Sequence, residues 1–440
     1  MLFMKVPKQT KKSAFNLSKK RKEMIFAPKP KNEFNEFMMM YYEQCRSKIP
    51  QIEALAAKWN FEDLIPGMSD YDTRFIYSEM TVDDWCNASM SIGDVHLDIC
   101  SKYPKWARIL EHLPGINLTW DEFTDDNLYY PEYHQWTIYH SHNESKLESA
   151  QEYLADHQWD SRDEYFFLKK FLTYYGPYDR KIDPAVNLKE FENKYPLHSR
   201  FMHYFVPPLQ AAVCVIQKRP IRGKMESVLE AKKIFPKLAV LDELIEAVEK
   251  HYEFEHLYFE PDISELEKKL YDALTEISKY LGKHITIFDK VSDTTPIEWK
   301  KLLKTYKVNP LLNVFDNAKW SRQMKGRLYF YANAPKHFDS QWCIEIELNR
   351  IHNMFFAVPY KTYWELTTGQ TATDLVDIVK NLTGTVLTAK QADSTLKYHY
   401  LTSRKWDQAD YKKPALEIVE IYEDFYRGLY NLTEILKKKV

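Results

Sequence analysis

Apolar and polar positions alternate along the chain in segments with distinct periods. Phe37, Met40, Tyr41, Cys45, Ile49, Ile52, Leu55, Ala56 and Trp59 recur at near-helical spacing, which predicts a helix over 35–59 interrupted by Pro50. A short loop over Phe61–Gly67 then leads into Asp72–Tyr77, which reads as a strand. Thr81, with Asp84 three residues on, is a capping-box-like start for a helix carrying Trp85, Ala88, Ile92, Val95 and Ile99 on one stripe. Gln135–Tyr139 reads as a second strand. Segments 146–157, 161–176, 197–218, 222–234, 238–259 and 262–282 are amphipathic and helical. Beyond them, His284–Val291, Arg327–Asn333, Trp342–Leu348 and Met354–Tyr360 carry β-rich alternation, and a helix over Leu416–Leu436 closes the chain.

These elements predict a multidomain α+β protein. The expected parts are a basic arm (1–32), a small α/β core (33–145), a helical domain (146–283) and a C-terminal α+β domain (284–440). The 440 residues hold only ten glycines, where ordinary usage would give roughly 30. That scarcity favours helices over tight hairpins and argues against a glycine-cradled cofactor. P-loop, dinucleotide-binding and serine-hydrolase motifs are absent from the sequence. The 31 Tyr, 24 Phe and 11 Trp are first of all core-filling material.

A net charge of −2 gives no overall electrostatic case for nucleic acid. Residues 1–32 are the exception, with ten Lys or Arg against the single acid Glu23. Such an arm is expected to be solvated or extended. It lacks the apolar stretch of a secretory signal, and no segment reaches 18 uninterrupted apolar residues. Five scattered cysteines without a CxxC pair are expected to be free thiols, and the chain is expected to be cytoplasmic.

Candidate chemistry concentrates in Gly67-Met68-Ser69-Asp70-Tyr71-Asp72-Thr73-Arg74-Phe75. Strand residues alternate faces, so Asp70, Asp72 and Arg74 share one side. Two carboxylates ~6–7 Å apart on one strand face repel unless a cation lies between them. Oxygen ligands so placed suit Mg²⁺, which takes one or two carboxylates and shares substrate phosphates. His140-Ser141-His142 has the HxH spacing of zinc ligands, but no third ligand is evident and the pair reads as solvated loop histidines. Glu345 and Glu347 would share a strand face as the polar side of an exposed sheet.

Ser69-Asp70-Tyr71-Asp72 on a turn-to-strand junction resembles the metal-binding motif of the polymerase-β-type nucleotidyltransferase superfamily. Residues 198–282, with Lys218-Arg219-Pro220-Ile221-Arg222-Gly223-Lys224 between helices, resemble the helical domain of aminoglycoside nucleotidyltransferases. The resemblance covers about a third of the chain. It implies that Asp70 and Asp72 hold Mg²⁺ against the phosphates of ATP or another nucleoside triphosphate. A nucleoside monophosphate, AMP from ATP, would pass to a hydroxyl of a small molecule. Ser69, Arg74, Arg222 and Lys224 would contact the nucleotide. The family's third carboxylate has two candidates, Asp98, if Val95–Ile99 is a strand, and Glu132 before the second strand. The family's Gly-Ser pair has no counterpart, since no Gly-Ser dipeptide occurs. Two alternatives stay open: an RNA or tRNA nucleotidyltransferase, served by the basic arm, and a retired relative that binds without catalysis.

Overall fold

The computed structural model describes residues 32–58, 72–103, 110, 113–179, 205–253, 264–284, 306–334, 344, 347–348, 351–372, 374–403 and 411–439. It is a mixed α+β protein, mostly helical, with one four-stranded sheet. Helix α1 (Asn32–Lys48) precedes β1 (Ile52–Lys58) and β2 (Thr73–Tyr77). Next come α2 (Val82–Lys102), the two-residue β3 (Leu118–Thr119), the short α3 (Trp120–Thr124) and β4 (Trp136–Ser141). The spatial order is β3-β2-β1-β4, with β1 antiparallel to both β2 and β4 and β2 parallel to β3.

The expected helix over 35–59 is corrected here. It stops at Lys48, and 52–58 is the central strand of the sheet. Pro50 ends the helical ladder, and the apolar run after it alternates between two cores. Leu55 and Ala57 face a cluster shared with Phe75 and Tyr77, while Ala54 and Ala56 face a second one with Ile76 and Leu118. A strand buried on both faces reads as continuous apolar sequence, and its period is lost. The β2 strand and α2 form as expected. Thr81 Oγ1 accepts from Asp84 N (3.2 Å) and Thr81 N donates to Asp84 Oδ2 (2.9 Å), closing the capping box.

The helical stretch follows as α4 (Glu144–Asp156), α5 (Ser161–Asp179), α6 (Val206–Gln217), α7 (Lys224–Ile234), α8 (Val240–Glu253) and α9 (Ser264–His284). Side chains from α5 to α9 make a core of their own, completed by Val308 and Leu312.

Beyond it the described elements are helices joined by loops, with one isolated bridge between Thr383 and Leu387, which overturns the β-rich reading. The helices are α10 (Leu311–Ser321), α11 (Met324–Asn333), a π-helical turn His352–Ala357 continuing into α12 (Val358–Thr368), α13 (Leu375–Leu382), α14 (Ala389–Ser403) and α15 (Lys412–Lys437). Residues 327–333 are helical because aromatic and apolar side chains meet core on most sides of α11, leaving no clean polar face to set a period. Residues 344, 347 and 348 are helical as well. Glu347 looks like the polar half of an alternation, yet it is 3% exposed and faces Arg327 (Nε–Oε1 3.4 Å). Counted with the buried positions, it turns Ile344, Glu347, Leu348 and Ile351 into an i, i+3, i+4, i+7 stripe. Pro359 lacks an N–H for the helical ladder, and the turn before it widens into the π-helix. Of the expected strand His284–Val291, His284 is the last residue of α9 and 285–291 lie outside the described residues.

One apolar cluster joins α1, α2 and one face of the sheet to the C-terminal helices, from Phe37 to Leu436. At its closest crossing, α2 and α11 meet through Gly93, Ser89 and Gly326, where Gly326 N donates to Ser89 Oγ (2.9 Å).

Candidate functional site

Antiparallel pairing brings the end of β1, the start of β2 and the start of β4 to one edge of the sheet. Ala57 lies opposite Thr73, and Lys58 lies opposite Trp136. The backbone N–H of Lys58 donates to Asp72 O (3.0 Å), fixing Asp72 at the mouth of β2. A 3₁₀ turn, Pro131–Gln135, delivers Glu132 to the same edge immediately before β4.

Strand parity places Arg74 on the Asp72 face, and its guanidinium joins two acids that are 60 residues apart in sequence, Asp72 and Glu132. Arg74 Nη2 donates to Glu132 Oε1 (3.0 Å), while Nη1 donates to Thr73 O (2.8 Å) and lies 3.9 Å from Asp72 Oδ1. Lys58 Nζ takes the other Glu132 oxygen (3.0 Å), and Trp136 Nε1 donates to Oε1 (3.1 Å). The guanidinium sits near the rings of Trp136 and Trp320, 5.8 and 5.5 Å from their centroids. Gly115 completes its seat, since a Cβ there would stand 2.7 Å from Arg74 Nη1. Arg74 and Glu132 are almost wholly buried, whereas the Asp72 side chain keeps 29% of its exposure.

Burial opposes ionisation of Glu132, but Lys58, Arg74 and Lys170 outweigh it and hold its carboxyl well below the usual range. Asp72 follows the same balance. Burial raises it and Glu132 adds to that, yet Arg74, Lys58 and Lys224 together bring it below its ordinary value.

The helical stretch reaches this edge through Ile221. Its carbonyl accepts from Gln210 Nε2 (2.8 Å) and Gln135 Nε2 (3.3 Å), and the Gln135 and Gln210 side-chain oxygens receive Lys170 Nζ (3.4 and 3.3 Å). Three residues beyond Ile221, the buried Lys224 stands at the start of α7, where its charge acts on Asp72. Arg222 is exposed and lies toward His134.

Beside Glu132 opens a cavity of about 220 Å³ between the sheet edge, α5 and α10. Lys58, Lys169, Lys170 and Arg162 bring positive charge to its wall, Glu132 and Asp316 negative charge, and Tyr130, Phe166 and Trp320 flat apolar surface. Burial, reinforced by Lys58 and opposed by Glu132, pushes Lys170 down to about 7. Burial pushes the Asp316 carboxyl up to about 7, with Lys319 and Lys169 resisting.

Four of the expected site residues therefore converge: Asp72, Arg74, Glu132 and Lys224. Ser69 and Asp70 lie outside the described residues. Asp98 does not join. The Val95–Ile99 stretch is helix, not strand, and Asp98 stands on its exposed side paired with Lys102 four residues on (2.7 Å). The Thr81 cap commits this segment to a helix whose buried stripe carries Val95, His96 and Ile99, leaving position 98 to solvent. Lys58, Lys170, Gly115, Asp316 and Trp320 went unrecognised in the sequence. Lys58 ends an apolar run and Lys170 sits within an amphipathic helix, so neither position carries a local signal of its partners.

Among the described residues Asp72 and, across the cavity, Asp316 each keep an oxygen that no cation approaches closer than 3.9 Å. Glu132 has both oxygens engaged. Lys58 and Arg74 beside Glu132, with Lys224 acting on Asp72, set positive charge at this edge that suits an anion better than a divalent cation. No family model matches the sequence, and no curated protein and no solved structure matches the chain. Among the described residues no helix is long and apolar enough to cross a membrane.

Proposed function

We propose that the chain is a nucleotidyltransferase-like protein that binds the phosphates of a nucleotide in the basic cavity beside Glu132, without transfer as its main activity. The observation that carries this reading is the guanidinium of Arg74 lying between Asp72 and Glu132. Two acids on this edge need a positive charge between them, and a side chain supplies it permanently. Lys58, Lys169, Lys170 and Arg162 line the cavity with positive charge that attracts phosphate oxygens, and Trp320, Tyr130 and Phe166 offer faces on which a base can stack.

The second reading is Mg²⁺-dependent transfer of AMP from ATP to a hydroxyl of a small molecule. The partial exposure of Asp72 and its loose 3.9 Å contact with Arg74 favour it, because one carboxylate oxygen can still turn outward. Asp70 would be its partner. Transfer to RNA draws support from the basic arm alone, and that arm lies outside the described residues.

Thermal unfolding with each nucleoside triphosphate, with and without Mg²⁺, separates these readings. Binding alone predicts a rise in Tm that needs no metal and is lost in the Lys58→Gln/Lys170→Gln variant. At a hundredfold excess over Kd the stabilisation is about 2–3 kcal/mol. A shift that requires Mg²⁺ and disappears in Asp70→Asn/Asp72→Asn, together with Mg²⁺-dependent pyrophosphate release from ATP, would favour the transfer reading instead. If no triphosphate shifts Tm, both are wrong.

Lys170 gives the binding a pH signature. It is charged below about 7 and mostly neutral at pH 8, so nucleotide affinity should fall by up to about tenfold from pH 6 to pH 8. Lys170→Gln should flatten that slope, which calorimetric titration at several pH values can check. The ligand-free chain should respond in the opposite sense. An unfolded lysine keeps its proton to near 10.5, the ordinary value, while the folded one loses it near 7. The unfolded state thus binds more protons in that window, and this group's contribution raises stability as pH climbs from 7 toward 10.

A further inference from the structure

The HxH pair beside the sheet has a third partner that the sequence hides. His140 lies in β4 and His142 just past its end, two residues apart and on one side of the strand. Their Nε2 atoms approach to 3.3 Å. Glu43, on α1, brings Oε1 to 3.9 Å from His142 Nε2, and one ligand atom from each of the three residues falls within 4.8 Å of the others. We propose that Glu43, His140 and His142 form a binding site for a zinc-like divalent transition metal, with water in the remaining position.

The spacing fits the ion. Zinc–nitrogen bonds of about 2.0–2.1 Å at a tetrahedral angle set two ring nitrogens about 3.3–3.4 Å apart. Two imidazoles and one carboxylate with an open fourth position is a known zinc ligand set, and two imidazoles suit zinc, copper or nickel far better than Mg²⁺ or Ca²⁺. The rings are held rather than free. Tyr42 stacks on His142 (centroids 5.9 Å, 14°) and meets His140 edge-on (5.4 Å, 72°). Backbone pairing fixes the rest, since His142 N donates to Glu53 O (2.8 Å) and His140 lies opposite Leu55. The metal would tie α1 to the β4 edge, elements brought together by the intervening fold. A second group, His134, His157 and Asp163, is a weaker candidate. Asp163 there already receives Tyr129 Oη, His157 Nε2 and Asp160 N, so a metal would have to displace bonds already formed.

The test is calorimetric titration of the full, tag-free chain with Zn²⁺, and with Mg²⁺ as comparison, alongside Co²⁺ absorption spectra. Expected are one tight Zn²⁺ site, no comparable Mg²⁺ site, and visible d–d bands of a four- or five-coordinate Co²⁺ complex. His140→Ala and His142→Ala should each weaken Zn²⁺ binding by about a hundredfold, and Glu43→Gln by about tenfold. His157→Ala should leave that binding unchanged. All three ligand positions are partly or fully solvent-exposed, so circular dichroism of the variants should match the parent. Zn²⁺ binding that survives His140→Ala/His142→Ala undiminished, or Co²⁺ that stays octahedral, would overturn the proposal and leave the two rings as a hydrogen-bonded pair.

Discussion

Arg74→Met is expected to destabilise the fold by about 3–5 kcal/mol, read as a lowered urea midpoint by tryptophan fluorescence. The substitution keeps much of the side-chain volume between Trp136 and Trp320 but withdraws the charge. Glu132 would then remain buried with Lys58 and the Trp136 N–H as its partners, and Asp72 would lose the nearest of the cations that hold it ionised. The cost is mainly that of two neighbouring carboxylates left short of a cation in a buried site, not the net worth of the pair. Arg74→Met/Glu132→Gln should accordingly recover most of the loss, since removing both charges leaves neither stranded. A single variant that costs under about 1 kcal/mol, or a double variant no better than the single, would refute this account of the site.

Gly326→Ala carries the second large effect, with a sign opposite to helix propensity. In an exposed helix interior alanine is better than glycine by about 1 kcal/mol. At Gly326 the added Cβ would stand 1.9 Å from Ser89 O and 2.8 Å from Ser89 C, both backbone atoms of α2. No rotamer change relieves that contact. The helices must separate along a crossing that α2 and α11 hold through the Gly326 N to Ser89 Oγ bond. A loss of about 3 kcal/mol or more is expected, at the upper end for overpacking. Gly93→Ala meets Gly326 O at 2.9 Å and should cost less. A lower thermal midpoint for Gly326→Ala than for Gly93→Ala would support the crossing. A stabilised Gly326→Ala protein would show that it is loose.

Both effects arise where residues distant in sequence meet, and this is also where sequence reading stopped. The faces of β2 were legible because a strand's side chains point to opposite faces in turn, which put Asp72 and Arg74 on one side before any partner was known. The start of α2 was legible from Thr81 and Asp84, which bond each other three residues apart. Most helices between Glu144 and His284 were legible because they bury one stripe and wet the other; α6, buried at every position from Val206 to Val215, is the exception. β1 was misread because both its faces are buried, and α11 because its apolar residues leave no polar face to set a period. Residues 344, 347 and 348 were misread because Glu347, a solvent position by its charge, is buried against Arg327.

The sequence by itself determined the local grammar of the chain: where helices begin, which side of β2 carries charge, and that residues 1–32 are basic. Only the tertiary structure decided the chemistry. It set Arg74 between Asp72 and Glu132, left Asp98 in solvent, lowered Lys170 beside Lys58, and carried Glu43 to His140 and His142. The physical reason is one of range. Periodicity and capping are bonds and burial within a few residues, and the sequence displays them directly. A charge acquires its meaning from the opposite charge or dry surface it meets, and that neighbour is chosen by the fold.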